Sequence, residues 1–157
     1  MRGDNDVTIR RLGADDVELV IDRRIAFFCE MRGWTVEEMP AAFIAANRAF
    51  IERTHCRTFH TWIAEAGDEC VGVISIVVSD APPRPEELRE RDGYIINTHV
   101  DTSHRSRGIG RLLVNACMDG CEAIGVRRFT LYATDDGRPL YESVGFADEH
   151  GWMNRYS

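Results

Sequence analysis

Several common functional classes are excluded by what this sequence lacks. Its 157 residues hold no apolar run near the ~20 residues that a membrane-spanning helix needs. The opening MRGDNDVTIR has no apolar core segment, so no secretory leader is expected. Positive charge is in deficit: 19 basic against 26 acidic residues give a net charge of −7, the wrong balance for a general nucleic-acid binder. There is no Gly-Lys-Ser or Gly-Lys-Thr, so no Walker phosphate loop, and no G-x-G-x-x-G, because Leu113 stands where the third glycine should. No C-x-x-C accompanies the histidines of HCRTFH (His55 to His60), and their spacing closes no zinc set. The five cysteines are odd in number and irregularly spaced, which reads as free thiols in a reducing cytoplasm. Repeats, long linkers and a second domain are also missing, and the length suits one domain over residues 1–157.

What remains is a patterned α/β chain. VTIRRL (7–12) alternates as a half-buried strand does. Helical periodicity runs over about 15–31, with Val17, Ile21, Ile25 and Phe28 on one stripe and Gly33 placed to cap its end. Thr35 and Glu38 have capping-box spacing, but Pro40 interrupts, so the sequence predicts one turn and then a helix over about 40–54. TFHTWIAEA and CVGVISIVVS, separated by Gly67-Asp68, read as an antiparallel hairpin. The charged, proline-bearing run 80–93 reads as a loop with one helical turn near Glu86. YIINTHV (94–100) is a strand. A strongly amphipathic helix follows over 108–123, with Ile109, Leu112, Leu113, Ala116 and Cys117 on its apolar face. RRFTLYA is a strand, GRPLYESV a short helix, and GFADE and WMNRY short terminal strands. The strand–helix–strand unit over 94–133 should be parallel and right-handed.

One corner of this acidic chain is basic. HRSRGIGR (104–111) sits where a strand hands over to the amphipathic helix. The first N–H groups of a helix have no partners within it, and they face the positive end of its dipole. Gly108 and Gly110 carry no Cβ, which lets a phosphate approach the backbone. Arg105, Arg107 and Arg111 add charge-assisted donors. A small anion, and a pyrophosphate in particular, suits this corner. A glycine-bearing surface turn with solvated arginines is the competing reading.

The segment Arg105-Ser106-Arg107-Gly108-Ile109-Gly110 resembles the acetyl-CoA signature Arg/Gln-x-x-Gly-x-Gly/Ala of the GNAT superfamily of N-acetyltransferases. GRPLYESVGF (137–146) resembles that family's L-Y-E-x-x-G-F segment, in the right order and at the right spacing. The element order matches over nearly the whole chain. The resemblance implies a mixed central sheet of about six to seven strands, splayed between the fourth and fifth, with about four helices. It implies acetyl-CoA as acyl donor, its pyrophosphate held by backbone N–H groups from Arg105 to Arg111 and its pantetheine arm paired with the main chain near Thr98 and Val100. It implies Tyr141 as the acid that protonates the leaving thiolate; a tyrosine packing on the sheet is the alternative. Many members carry Asn seven residues before that tyrosine, where this chain has Thr134, a shorter donor and acceptor.

Acetyl transfer also needs a neutral amine. His99 titrates in the useful range and is the candidate base, against a merely structural histidine or a base acting through water. Asn97, His99 and Asp101 alternate and so are expected on one face; Asn97 is a candidate to orient the acceptor. Trp34, between the first two helices, is a candidate wall of the acceptor pocket or a core anchor. Acidic residues such as Glu30 and Asp101 favour a cationic acceptor. The expected acceptor is a small-molecule or peptide amine, with a homodimer as a further candidate partner; neither nucleic acid nor membrane is expected. The alternative function is a catalytically silent acyl-CoA sensor or interaction domain on the same fold. A cleft plugged by the 80–93 loop would favour it.

Overall fold

The computed structural model describes residues 7–88, 90–149, 151 and 153–156. Strand β1 (Val7–Arg11) leads through a single 3-10 turn into helix α1 (Val17–Arg32), and α2 (Ala41–Thr54) follows. Then come β2 (Phe59–Ala66), β3 (Glu69–Asp80), β4 (Arg91–Val100), α3 (Ile109–Glu122), β5 (Val126–Leu131) and α4 (Arg138–Ser143). The strands lie side by side in the order β1-β2-β3-β4-β5. The first three neighbouring pairs are antiparallel, and β4 pairs with β5 in parallel across the α3 crossover.

Local chemistry accounts for the helix ends. Gly33 takes a left-handed φ of 66° at the end of α1 and its N–H bonds back to the last turn. The Thr35 N–H donates to Glu38 Oε2 at 2.7 Å, the expected single turn, and Pro40 stands at the start of α2. Alternation along the central strands then fills two cores. Trp62, Ala64, Ile74 and Ile76 face α3, while Phe59, Ile63 and Val73 face α1 and α2. α3 buries Ile109, Leu113, Val114, Cys117 and Cys121; Leu112, expected inside, lies half exposed at the margin of that stripe. Gly120 lets α3 seat against the indole: a Cβ there would stand 2.6 Å from Trp62 Cζ2.

Two expectations need correction. The sheet has five strands where six to seven were expected, because GFADE and the described residues of WMNRY form no strand; Trp152 lies outside the described residues. Their charged side chains hold the segment instead, with Asp148 on Arg138 and Glu149 on Arg128. Met153 and Tyr156 are 93% and 92% exposed, so no apolar face drives a ladder here. The turn of helix near Glu86 is also absent among the described residues: Arg84 and Glu87 exchange backbone bonds of 2.9 and 3.0 Å in a tight bridge, and β4 starts at Arg91.

Candidate active site

The ladder between β4 and β5 ends at the pair Ile95 and Leu131. β4 continues for five more residues, still registered on β3 up to Val100 opposite Gly72. The edge of β4 from Ile96 to Val100 is therefore open on the β5 side. The Asp101 N–H donates to Val71 O on β3, so strand alternation turns the N–H and C=O of Val100 and Thr98 toward the opening. The Val100 carbonyl duly accepts from Arg105 Nε at 2.8 Å.

A bulge sits in the same stretch. The register with β3 shifts by one residue after Ile96, and Asn97 takes a left-handed φ of 54°. The extra residue inverts the faces. Ile95 packs into the core under α3, yet His99 packs on Phe27 of α1, with ring centroids 6.3 Å apart. Strict alternation would have put Ile95, Asn97 and His99 on one face.

Two cavities meet at this opening. One, of about 620 Å³, lies on the α3 side and is bounded by the 104–111 loop, the start of α3 and the Gly137–Ser143 region. The other, of about 510 Å³, lies on the α1 side and is bounded by Phe27, Glu30, Met31, Asn97, Tyr132 and Asp136. Thr98, His99, Val100, Arg105, Thr134, Asp136, Gly137 and Tyr141 line both, so the two cavities adjoin where β4 and β5 part.

The α3 side presents the open start of a helix. The helix ladder begins with Leu112 N–H on Gly108 O, which leaves Ile109, Gly110 and Arg111 N–H groups without helical acceptors. Ser106 and Gly108 both have positive φ, 62° and 80°, a succession that turns backbone N–H groups into a concave nest. A Cβ on Gly108 would meet nothing within 4 Å, so that side is open. Gly110 has a different reason to be glycine: its Cβ would stand 2.9 Å from Leu140 Cδ2, so it lets α4 close against α3. Arg111 lines the cavity. Arg107 is exposed on the loop and is not among the lining residues.

The α1 side holds a charged cluster. Glu30 Oε2 lies 2.6 Å from His99 Nε2, and Glu30 Oε1 accepts from Arg105 at 2.6 Å. The Arg105 side chain is thus turned away from the nest and onto α1. Asp101 Oδ1 lies 3.6 Å from His99 Nδ1 and accepts from Arg23 at 3.2 Å. Burial pushes the Glu30 carboxyl up, but His99 and Arg105 outweigh it and hold the group below the usual carboxylate range.

Tyr141 stands between the cavities, its ring edge-on to Phe146 at 5.9 Å. Burial raises its phenol above the ordinary value of 10.0, and the nearby Thr98 hydroxyl offsets only part of this. That approach falls short of hydrogen-bond geometry, since Thr98 Oγ1 has no such partner among the described residues. Thr134 uses its hydroxyl on the Gly137 N–H at 3.2 Å, shaping the turn into α4.

Trp34 does not join the site. It lies beyond the α1 end under the Arg32 guanidinium, 5.8 Å from its ring centroid, and lines neither cavity. Phe27, Met31 and Tyr132 form the aromatic and apolar wall in its place. The i, i+3, i+4 spacing of Phe27, Glu30 and Met31 along α1 marked a second helical stripe that the core pattern overshadowed. HCRTFH is structural: His55 Nε2 contacts Gly13 O at 2.7 Å and His60 Nδ1 accepts from Arg11 at 2.8 Å.

Comparison with known proteins agrees with this geometry. The model of the acetyltransferase (GNAT) family matches residues 23–146. A GCN5-related N-acetyltransferase from Ralstonia eutropha is 31% identical and superposes with a TM-score of 0.72 over 96% of this chain and 98% of its own. A predicted acetyltransferase from Clostridium acetobutylicum, solved with acetyl-CoA, shares the fold with a TM-score of 0.80 at 20% identity, over 96% of each chain. N-acetyltransferase family 8 member 3 of Rattus norvegicus is 26% identical over 115 residues, 70% of this chain. The chain spans 49% of that protein's length. Among the described residues no helix is long and apolar enough to cross a membrane.

Proposed function

The chain belongs to the GNAT family of acetyltransferases, and we propose that it transfers an acetyl group directly from acetyl-CoA to the primary amine of a small molecule or peptide. The observation that carries this reading is the pair of cavities that adjoin where β4 and β5 part, one at the start of α3 and the other a charged, aromatic pocket beside α1. The residues present fit the donor. The N–H groups of Ile109, Gly110 and Arg111, which have no helical acceptor, offer donors to a pyrophosphate, and Arg111 lines the same cavity. The open main chain of Thr98 offers strand-like hydrogen bonds to the amides of the pantetheine arm, while Val100, whose carbonyl accepts from Arg105 Nε, has its N–H left for the thioester.

Acetyl-CoA supplies the thioester carbonyl and the thiolate leaving group. The chain's own contribution is largely to position: two mouths meeting at Thr98–Val100 bring amine and acyl carbon together, and such alignment is worth several kcal/mol of barrier. As the N–C bond forms and the C–S bond breaks, one proton leaves the amine and one reaches the sulfur. His99, held between Glu30 and Asp101, receives the first directly or through water. Tyr141 delivers the second from its protonated phenol. The Val100 N–H faces the opening and stabilises the carbonyl oxygen as it gains charge.

The silent-sensor alternative would gain from a plugged cleft. None of the described residues of 81–90 lines either cavity, so the acceptor mouth is open. The test combines calorimetry with acetyl-CoA and thiol release against a panel of primary amines. All 19 basic residues are arginine, so the chain has no lysine side chain to consume the donor. Micromolar binding with amine-dependent thiol release is expected. Binding without release for any amine would establish the sensor, and no binding would overturn both.

A further inference from the structure

We infer that Arg23 is a positioning residue for the proton transfer: by pairing with Asp101 it keeps His99 in the neutral form that can take the proton of the acceptor amine. This rests on the acetyl-transfer reading and adds to it a residue outside the reacting groups.

The nearest neighbours of His99 favour its charged form. Glu30 Oε2 lies 2.6 Å from Nε2 and Asp101 Oδ1 lies 3.6 Å from Nδ1, so a carboxylate stands at each ring nitrogen. An imidazole in such a place gains a proton readily and releases it reluctantly. A base must begin without that proton.

One guanidinium on each carboxylate offsets this. Arg105 donates to Glu30 Oε1 at 2.6 Å, and Arg23 donates to Asp101 Oδ1 at 3.2 Å. Paired in this way, the four groups carry no net charge, and a neutral His99 completes a neutral cluster. The other groups around the ring add no charge. Phe27 of α1 packs on it, Val73 stands opposite it on β3, and Tyr141 lines the same cavities with a protonated phenol. Cys70 of β3 lies beside Arg23 and Asp101, and burial pushes its thiol up, so it stays uncharged.

Of the two guanidiniums, Arg23 is the more firmly held. Its side chain is 17% exposed against 49% for Arg105, and its Nη1 also donates to the Cys70 carbonyl at 3.3 Å. Arg105 lines both cavities, whereas Arg23 and Asp101 line neither. Arg23 therefore acts on the reaction through its neighbours. Without it, Asp101 is free to close on Nδ1 and hold a hydrogen there. In the reaction the amine proton leaves as the N–C bond forms and reaches the imidazole, while the C–S electron pair departs on sulfur. An imidazolium already present has no place for that proton. The competing reading makes Arg23 only a tie between α1 and β3.

The first measurement needs neither substrate. The protein is labelled with ¹⁵N-histidine, the His99 ring signals are assigned by their loss in His99→Gln, and their titration is followed by NMR. Arg23→Met should move the midpoint up by about one pH unit. Arg23→Lys, which keeps the charge, should bring it back close to wild type. In an Asp101→Asn background, Arg23→Met should move it less than half as far, because the carboxylate to be freed is gone. The second measurement is thiol release at saturating acetyl-CoA with glycinamide and 2-phenylethylamine, where the ratio of variant to wild type cancels the amine's own ionisation. Arg23→Met should lose up to about 10-fold in kcat/KM below pH 6 and little at pH 9. A mere tie would lower the rate alike at every pH. Arg23→Gln serves in both measurements should Arg23→Met fail to fold. An unmoved midpoint, a moved midpoint that lysine does not restore, or a loss independent of pH would overturn the inference and leave acetyl transfer standing. Failure of the wild-type protein to bind acetyl-CoA would overturn the acetyl-transfer reading, and the histidine titration would still decide whether Arg23 sets the state of His99.

Discussion

Replacing Tyr141 by phenylalanine removes one hydroxyl from the centre of the cleft and little else. The ring contact with Phe146, at 5.9 Å and 72°, stays. The lost hydroxyl makes no well-formed hydrogen bond to Thr98, so folding stability should change by no more than about 0.5 kcal/mol. The kinetic cost is different. Positioned general acids contribute about 10²–10⁴-fold. Burial lifts the Tyr141 phenol above 10.0, whereas a thiolate of the cysteine kind has a pKa near 8.5, so this proton transfer runs uphill. That places the effect at the low end: kcat should fall about 100-fold in Tyr141→Phe, about 2.7 kcal/mol of barrier. The raised pKa also fixes the pH profile. The protonated donor persists below pH 10.0 and is lost only as pH rises through the folded value, so wild-type kcat should show no alkaline decline from this residue below pH 10. Thiol release from pH 6 to 10 and calorimetry with acetyl-CoA measure both effects. A kcat within about threefold of wild type, with donor affinity intact, would refute the acid role and leave Tyr141 as packing.

Arg111→Ala should weaken acetyl-CoA binding about 5–10-fold, the worth of one exposed charge-assisted hydrogen bond, and more than Arg107→Ala, because only Arg111 lines the anion cavity; equal losses in calorimetry would mean that both reach the pyrophosphate. His60 is buried and its pKa is pushed down to about 4, first by burial and then by the Arg11 guanidinium. The unfolded chain therefore binds this proton more tightly, and its stabilisation, present above about pH 6.5, is lost as pH falls toward 4. The loss amounts to about 3 kcal/mol, and thermal melts from pH 7 to 4 should show it in the wild type and not in His60→Gln. Gly120→Ala gains about 1 kcal/mol of helix propensity but drives a methyl to 2.6 Å from the buried Trp62 ring. Overpacking of a pinned ring should win, and the urea midpoint should drop; a rise would show that the indole can give way.

How much was legible beforehand differs between the fold and the cleft. Local patterns located the elements well: the left-handed Gly33 cap, the Thr35–Glu38 turn, the hairpin around Gly67 and the α3 stripe are all short-range consequences of residue type. The glycine-bearing segment 104–111 marked the loop and the start of α3, because a helix start and its loop are contiguous in the chain. The terminal strands failed because strand formation needs a neighbouring edge and a face to bury, and neither is a property of the segment itself.

Within the site, adjacency in sequence again marks the boundary. The sequence by itself determined the order of elements, the helix caps, the basic corner at 104–111 and the candidacy of Tyr141, since each depends on a few consecutive residues. Tertiary structure alone decided that Glu30, 69 residues before His99, takes that imidazole and Arg105 together. It also set Phe27, Met31 and Tyr132 where Trp34 was expected, and turned His99 onto α1 through the bulge at Asn97. Period-2 alternation assumes a regular ladder, and one inserted residue reverses every side chain beyond it. Whether a strand carries such an insertion depends on its partner's register, which no window of its own sequence contains.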